Sequence, residues 1–307
     1  MRAFAPKEIR HAAIEAGGWV VQAASVIGPS HVLRKEPRQD EFAMAIEGPF
    51  CIAAVADGLG SAPLSQVGSA LAVRETVLQL ATLLKGADPK TQPVDTLRFP
   101  GFETPTQKRS WLSWLIGHRA PNPPPPPSIP LALKIEEVLL GIREELWKRA
   151  AQANTGSRDG LDTTILGVVL TKESGLFFHC GDGAGIAAEE VGRGQFETAV
   201  YSEPENGEFS NITFPLTLET AKAHIRCKPF QLKGPVFLMS DGAMPFAADS
   251  RAHGLQLRRN FLEPIDKHLA SVPLAAGAED LAKTLDSEDA RASESDDKTL
   301  LVIRRAP

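Results

Sequence analysis

The chain has 307 residues, is 43% hydrophobic and carries a formal net charge of −5, with a sequence pI of about 5.9. That length supports one large core or two small ones, and the acidic balance argues against nucleic acid as the main partner, which would want a basic face. No apolar run reaches the roughly 18 residues of a membrane span, and residues 1–11 lack the apolar centre of a signal peptide, so no membrane association is expected. Cys51, Cys180 and Cys227 follow neither disulfide nor metal-site spacing; they read as reduced, mostly buried thiols of a cytoplasmic protein.

Residues 18–27 read as a first strand, ended by Gly28-Pro29-Ser30, and residues 31–40 are polar and basic. Residues 42–46 and Phe50–Ala56 form an expected hairpin over Glu47-Gly48-Pro49. Its second strand runs into Asp57, and the glycines on either side of Leu59 allow a sharp turn that leaves this acid exposed at a strand end. By itself an Asp-Gly pair is ordinarily only a turn. Ser65–Leu84 then reads as a helix, with Val67, Leu71, Val73 and Val77 among apolar residues mostly at helical spacing. The composition changes over residues 86–130, which hold 11 of the 24 prolines, including the unbroken run 123–127. Such a run favours polyproline II and cannot enter a central strand or helix, so this segment is expected to be a surface insertion. Trp111, Leu112, Trp114, Leu115 and Ile116 form an apolar knot within it, and a docking role for the proline run is the lesser alternative.

Residues 131–153 read as a long amphipathic helix whose apolar face holds Leu133, Ile135, Val138, Leu139, Ile142, Leu146 and Ala150. After a break at 154–160, strands are expected at 163–170 and 176–180, with a possible return at 186–189. Residues 201–217 look loop-like, with a short strand possible at 211–214, and 235–240 is an apolar strand. Residues 254–285 look helical, broken by Pro264 and Pro273, and an acidic stretch at 286–297 leads into a last strand at 299–303. Hairpins and separate helices suggest an α+β arrangement and argue against a doubly wound parallel sheet.

One pattern recurs. Asp57-Gly58, Asp182-Gly183 and Asp241-Gly242 follow apolar strands, Asp296-Asp297 enters the last strand, and Asp40 enters the second. If these acids converge on one rim, they repel each other unless cations neutralise them. Oxygen-only ligands favour Mg²⁺ or Mn²⁺ over Zn²⁺, and no His and Cys cluster of zinc type is evident.

These residues resemble the metal-dependent Ser/Thr protein phosphatases, the PPM or type 2C family. Arg38-Gln39-Asp40 is similar to its first acidic motif, and Val55-Ala56-Asp57-Gly58-Leu59-Gly60 followed by Gly68-Ser69 to its second. Thr163-Thr164 with Gly181-Asp182-Gly183 resembles the middle block; Ser240-Asp241-Gly242-Ala243 and Asp296-Asp297-Lys298-Thr299 resemble the last two. Each motif alone is weak, but five in order over residues 18–303 are specific. Gly28-Pro29-Ser30-His31, Gln39-Asp40 and the stretch Glu203-Pro204-Glu205-Asn206-Gly207-Glu208 before Asn211-Ile212-Thr213 look like a bacterial branch. The resemblance implies a four-layer α/β/β/α sandwich of two antiparallel sheets, formed by one domain over residues 1–307. It implies that Asp57 bridges two metal ions and Gly58 lends its carbonyl. Asp40 would complete one metal, Asp241 and Asp296 the other, and Asp182 with Asp241 would hold a third, weaker ion. It also implies a phosphorylated protein as substrate, a Ser/Thr kinase as opposing partner, and a monomer.

Three departures stand out. Leu59 occupies a place where some relatives carry a His that protonates the leaving group, so water at the metals would take over that task. The loop before Asp40 looks longer, leaving Arg34, Lys35 or His31 to grip phosphate; Arg34 is preferred for its planar fork. Asp162 stands where a Gly is commoner before the two threonines.

Rival chemistries fare poorly. A cysteine phosphatase needs an Arg a fixed step beyond the Cys, and the corresponding positions hold Asp57, Ile186 and Lys233. The stretch 181–185 imitates a dinucleotide loop but lacks its third glycine, and there is no Walker loop. His179 and the other histidines read as surface or satisfied core residues. The remaining alternative is a non-catalytic member that binds phosphoproteins or a partner kinase; retention of all the expected aspartates favours catalysis.

Overall fold

A computed structural model describes residues 8–87, 97–100, 128–153, 158–192, 194–205, 213–251 and 254–306. The apolar knot at 111–116, the proline run at 123–127 and residues 211–212 of the possible short strand lie outside them.

The chain opens with a hairpin of β1 (Ile9–Ala16) and β2 (Trp19–Val26) over Gly17-Gly18, both at positive φ (60° and 84°), the geometry that tight two-residue hairpins require. A short helix α1 (Pro29–Arg34) follows, then the expected hairpin β3 (Glu41–Glu47) and β4 (Phe50–Ala56), and helix α2 (Ser65–Leu84). Strands β5 (Arg98–Pro100) and β6 (Ser128–Pro130) pair with each other before helix α3 (Leu131–Gln152). Next come β7 (Ile165–Leu170), β8 (Ser174–Cys180), β9 (Ala184–Gly192), β10 (Gln195–Ser202), α4 (Ala221–His224), β11 (Arg226–Gln231) and β12 (Val236–Met239). The chain ends with α5 (Met244–Ala247), the hairpin β13 (Ala248–Arg251) and β14 (Gly254–Leu257), helices α6 (Arg259–Ser271), α7 (Leu274–Leu285) and α8 (Glu288–Ser293), and β15 (Lys298–Arg305).

Two antiparallel sheets dominate. One has six strands in the order β1-β2-β15-β12-β9-β10, and the other five in the order β11-β8-β7-β4-β3. Their facing sides interlock through Trp19, Val21, Cys51, Ala53, Val55, Leu166, Val168, Leu238 and Leu301. The opposite face of β4, Phe50, Ile52, Ala54 and Ala56, packs under α2 and α3 through Val73, Leu80, Ile135, Leu139 and Leu146. On the other side Ala24, Val26, Phe237, Met239, Leu300 and Val302 pack under Leu262, Leu269, Leu281 and Leu285 of α6 and α7. The layers are therefore α/β/β/α, as the family resemblance implies. A central strand buried on both faces reads as a continuous apolar run, which is why β4 and β12 stand out in the sequence.

Several expectations need correction. Helix α6 runs through Pro264, at the cost of one backbone hydrogen bond near its start, and only Pro273 separates it from α7. Residues 254–257 are strand, residues 195–202 extend as β10, and β1 and β11 add strands at sheet edges. Helix α2 is also long and apolar enough, by length and composition, to cross a membrane. Its Ala72, Val73, Val77 and Leu80 pack on the five-stranded sheet, while Arg74 projects outward at mid-helix.

Candidate metal centre

The five recurring aspartates come from both sheets. Asp40 precedes β3, Asp57 follows β4 and Asp182 follows β8, all in the five-stranded sheet; Asp241 follows β12 and Asp296 precedes β15 in the other. The sandwich brings them to one end. Carboxylate oxygens of Asp57, Asp182 and Asp241 all lie within 4.8 Å of one another. Asp40 is near enough to repel Asp57 and Asp241, and Asp296 to repel Asp57, Asp241 and Asp182.

Local structure fixes each acid. The Asp57 N–H donates to Thr164 Oγ1 at 2.9 Å, and its carbonyl accepts from the Thr164 N–H at 2.8 Å and the Thr163 hydroxyl at 2.9 Å. Gly58 bridges to Thr163, and a Cβ there would strike the backbone of Ser65 at the start of α2. The Thr299 hydroxyl spans Asp40 Oδ2 and Ser25 Oγ, each at 2.7 Å. Beneath Asp40 the buried Arg38 guanidinium reaches Ser25 Oγ at 2.5 Å, the Asp40 carbonyl and Glu41 Oε2 at 3.3 Å. The Gly242 N–H donates to Asp241 Oδ1 at 2.6 Å. Gly181, at φ 130°, lets the chain turn into Asp182, whose Oδ2 accepts from the Thr213 hydroxyl. Its Oδ1 is buried with no hydrogen-bond partner among the described residues.

The charge arrangement is unfavourable without a counter-ion. Burial first, then repulsion by Asp241, Asp40, Asp182 and Asp296, holds Asp57 well above the ordinary carboxylate range. Asp241 is held well above it by burial and then by Asp182, Asp40 and Asp296. Asp40 is pushed up to about 7, by burial and then Asp297, against lowering hydrogen bonds from Ser240 and Thr299. Asp182 is also raised by burial, with Thr213 opposing. Four raised carboxylates and one orphaned buried oxygen, with no Cys or His among them, fit a hard divalent cation.

Other sequence candidates fall differently. Arg34 lies half-exposed on α1 and pairs with Glu36 at 2.7 Å. Leu59 is half-buried, its N–H bonded to the Asp162 carbonyl, and Asp162 Oδ1 accepts from the Thr217 hydroxyl at 2.5 Å. His31 is a satisfied buried histidine, 2.8 Å from Asp297 Oδ1, and that bond raises its pKa. His179 is buried with Nδ1 3.0 Å from Ser202 Oγ, and burial pushes its pKa well down. Sequence reasoning passed over Thr164, Ser240 and Thr299 as holders of the acids; their only signal was adjacency to the motif aspartates or the last strand.

Comparison with solved structures bears on the fold. The sandwich is similar to a serine/threonine phosphatase of S. agalactiae, with a TM-score of 0.57 at 14% identity, over 97% of this chain and 99% of that one. Stp1 from Staphylococcus aureus aligns with a TM-score of 0.53 at 11% identity, over 94% and 95% of the two chains. The catalytic domain of the phosphatase PstP, solved with two manganese ions, aligns at 0.52 and 14% identity, over 97% and 99%. At such identities the likeness is one of fold. No curated protein matches the chain. The family model for protein phosphatase 2C matches residues 27–286, most of the length and four of the five aspartates, and the chain belongs to that family.

Proposed function

We propose that this protein is a metal-dependent phosphatase that hydrolyses phosphoserine and phosphothreonine in proteins. The observation that carries the reading is the convergence of five acids from two sheets on one rim, three with oxygens within 4.8 Å. Mg²⁺ or Mn²⁺ bound there would supply an ionised water as nucleophile and positive charge for the phosphoryl oxygens. In this reading Asp57 would help to hold two tight ions, one together with the Gly58 carbonyl and Asp40, the other together with Asp241 and Asp296. Asp182, with Asp241, holds a third and weaker ion. Thr163 and Thr164 keep Asp57 turned into the mouth, and Thr299 and Ser240 do the same for Asp40. Arg34 stands on the same helix as His31, which comes within 4.0 Å of Asp296; by exchanging Glu36 for a phosphoryl oxygen it would orient the substrate. Leu59 offers no proton to the leaving group, so water at the metals would have to supply it, or the rate would fall. We read residues 1–307 as one such domain, monomeric and cytoplasmic, with residues 86–130 as a peripheral insertion and a Ser/Thr kinase as its opposing partner.

The test is Asp57→Asn. The amide keeps the shape but cannot match the charge shared by two cations, so turnover of a small aryl phosphate should fall at least about a thousandfold, roughly 4 kcal/mol. Circular dichroism should be unchanged, since the holding bonds are to the Asp57 backbone. Wild type should be silenced by a chelator, restored by Mn²⁺, and indifferent to thiol alkylation. Burial pushes the Cys51 thiol up strongly and those of Cys180 and Cys227 up to about 12, which leaves little reactive thiolate. Chelator-resistant turnover, or a variant within about tenfold of wild type, would end the metal reading.

A further inference from the structure

Asp296 and Asp297 are neighbours in sequence with different surroundings. Asp296 is half-exposed, whereas Asp297 is 1% exposed and both its oxygens are engaged. Oδ1 accepts from the Gly28 N–H at 2.7 Å and lies 2.8 Å from His31 Nδ1. Oδ2 accepts from the Gln39 N–H at 2.5 Å and, more weakly, from the Asp40 N–H at 3.3 Å. A carboxylate offers about four lone-pair positions. All are taken, so Asp297 has none left for a cation. The same count removes His31, Asp296 and Asp297 as a separate cation site: their atoms gather within 4.8 Å, but His31 Nδ1 and Asp297 Oδ1 are spent on each other.

The backbone at this point is equally confined. A Cβ on Gly28 would overlap the Asp296 carbonyl, and a Cβ on Gly242 would overlap that of Asp297. The Asp297 N–H donates to Asp296 Oδ1 at 2.8 Å, and the buried Lys298 ammonium donates to the Asp296 carbonyl at 2.9 Å. Asp297 thus touches the loop from β2 into α1, the residues entering β3 at Asp40, the turn that carries Asp241, and Asp296 itself.

We propose that Asp297 is a positioning residue for the metal centre: it fastens the Gly28 to Asp40 segment to the approach of β15 and so sets Asp40 against Asp296, with His31 as the donor that keeps its carboxylate inward. This rests on the metal-dependent reading above. The bonds run to backbone amides, so they fix where the Asp40 side chain starts, while Thr299 fixes where it ends. Groups that orient ligands from behind typically govern metal affinity by about 10- to 100-fold.

Three variants of the full chain test it. Asp297→Ala removes all four bonds. Asp297→Asn keeps an oxygen for the Gln39 and Asp40 amides and can donate its NH₂ to His31 in the other tautomer, giving up only the Gly28 bond. His31→Leu removes one donor. In the metal-free protein, hydrogen exchange at the Gly28, Gln39 and Asp40 amides should quicken in the Ala variant and stay near wild type at Gln39 and Asp40 in Asn, with β4 and β7 unchanged. Calorimetric Mn²⁺ affinity should fall about 10- to 100-fold in Ala, less in His31→Leu, and be largely restored in Asn. The Mn²⁺ electron paramagnetic resonance spectrum should change from a coupled pair toward isolated ions in Ala alone. Wild-type Mn²⁺ affinity and spectrum in a folded Ala variant would overturn the proposal. Should Ala fail to fold, His31→Leu decides: unaltered affinity and unaltered Gly28 exchange would overturn it. Wild type that binds no Mn²⁺ would instead sink the metal reading, while the exchange pattern would still report whether Asp297 fastens these amides.

Discussion

Thr163 and Thr164 show how a carboxylate can be held in a place that repels it. Their hydroxyls and one amide engage the Asp57 backbone from both sides, so the peptide is fixed while the side chain remains available. Asp182 is held differently. One oxygen is occupied by Thr213 and the other is buried and, among the described residues, unpaired, a loss that a cation at Asp57, Asp182 and Asp241 would repair. In the reading above Asp182, with Asp241, would hold the third and weaker ion and not the tight pair. Asp182→Ala should keep two tight Mn²⁺ ions by calorimetry while turnover of an aryl phosphate drops about tenfold or more, at least roughly 1.4 kcal/mol. A variant that binds no metal at all would overturn this division of labour. The Gly-Asp-Gly turn was legible in the sequence. The Thr213 contact was not, since 31 residues separate the partners.

At the level of elements, the acid-bearing turn after β4 is built by backbones in close approach. Gly58 lies against Ser65, the Leu64 N–H donates to the Gly160 carbonyl at 3.0 Å, and a Cβ on Gly68 would overlap the Leu161 carbonyl. The first turns of α2 and the 3₁₀ turn Arg158–Leu161 therefore have no room for a methyl group between them. Alanine is the better helix former by about 1 kcal/mol, yet overpacking of this kind costs about 1–3 kcal/mol. Gly68→Ala should thus be destabilising, lowering Tm by a few degrees for a chain of this size; a raised Tm by scanning calorimetry would show that the turn can give way. The same elements show what a sequence conveys. Strands β4 and β12 and helices α2 and α3 declare themselves because their apolar periods are uninterrupted. Strand β11 hides behind Pro229 and exposed polar residues, which an edge position tolerates. Strand β1 has no clean alternation, and its signal was the Gly17-Gly18 turn beside it. Strand β10 does alternate, at Phe196, Thr198 and Val200, and could have been read.

Across the whole molecule, five acids spread from residue 40 to residue 296 meet only because two sheets stack with their acid-bearing ends together. Their recurrence was visible in the chain; their mutual repulsion is a property of the fold, and it sets how stability depends on pH. In the metal-free protein Asp40, Asp57 and Asp241 all have native pKa values above the ordinary carboxylate value of about 4, through burial first and neighbouring carboxylates second. Each binds more proton when folded than when unfolded. Its stabilising contribution is complete below about pH 4 and is lost as pH rises through the native value, about 7 for Asp40. The metal-free Tm should therefore fall between about pH 5 and pH 8. A divalent cation takes the place of those protons, so the Tm gained on adding Mn²⁺ should widen over the same range. Asp57→Asn removes one of the repelling charges. It should raise the metal-free Tm at about pH 8 and flatten the slope, while losing most of the gain from Mn²⁺. Scanning calorimetry with chelator or with Mn²⁺ at both pH values measures all three effects. A metal-free Tm that holds or rises toward pH 8, or a Mn²⁺ gain equal at both ends, would mean that the acids do not carry this repulsion.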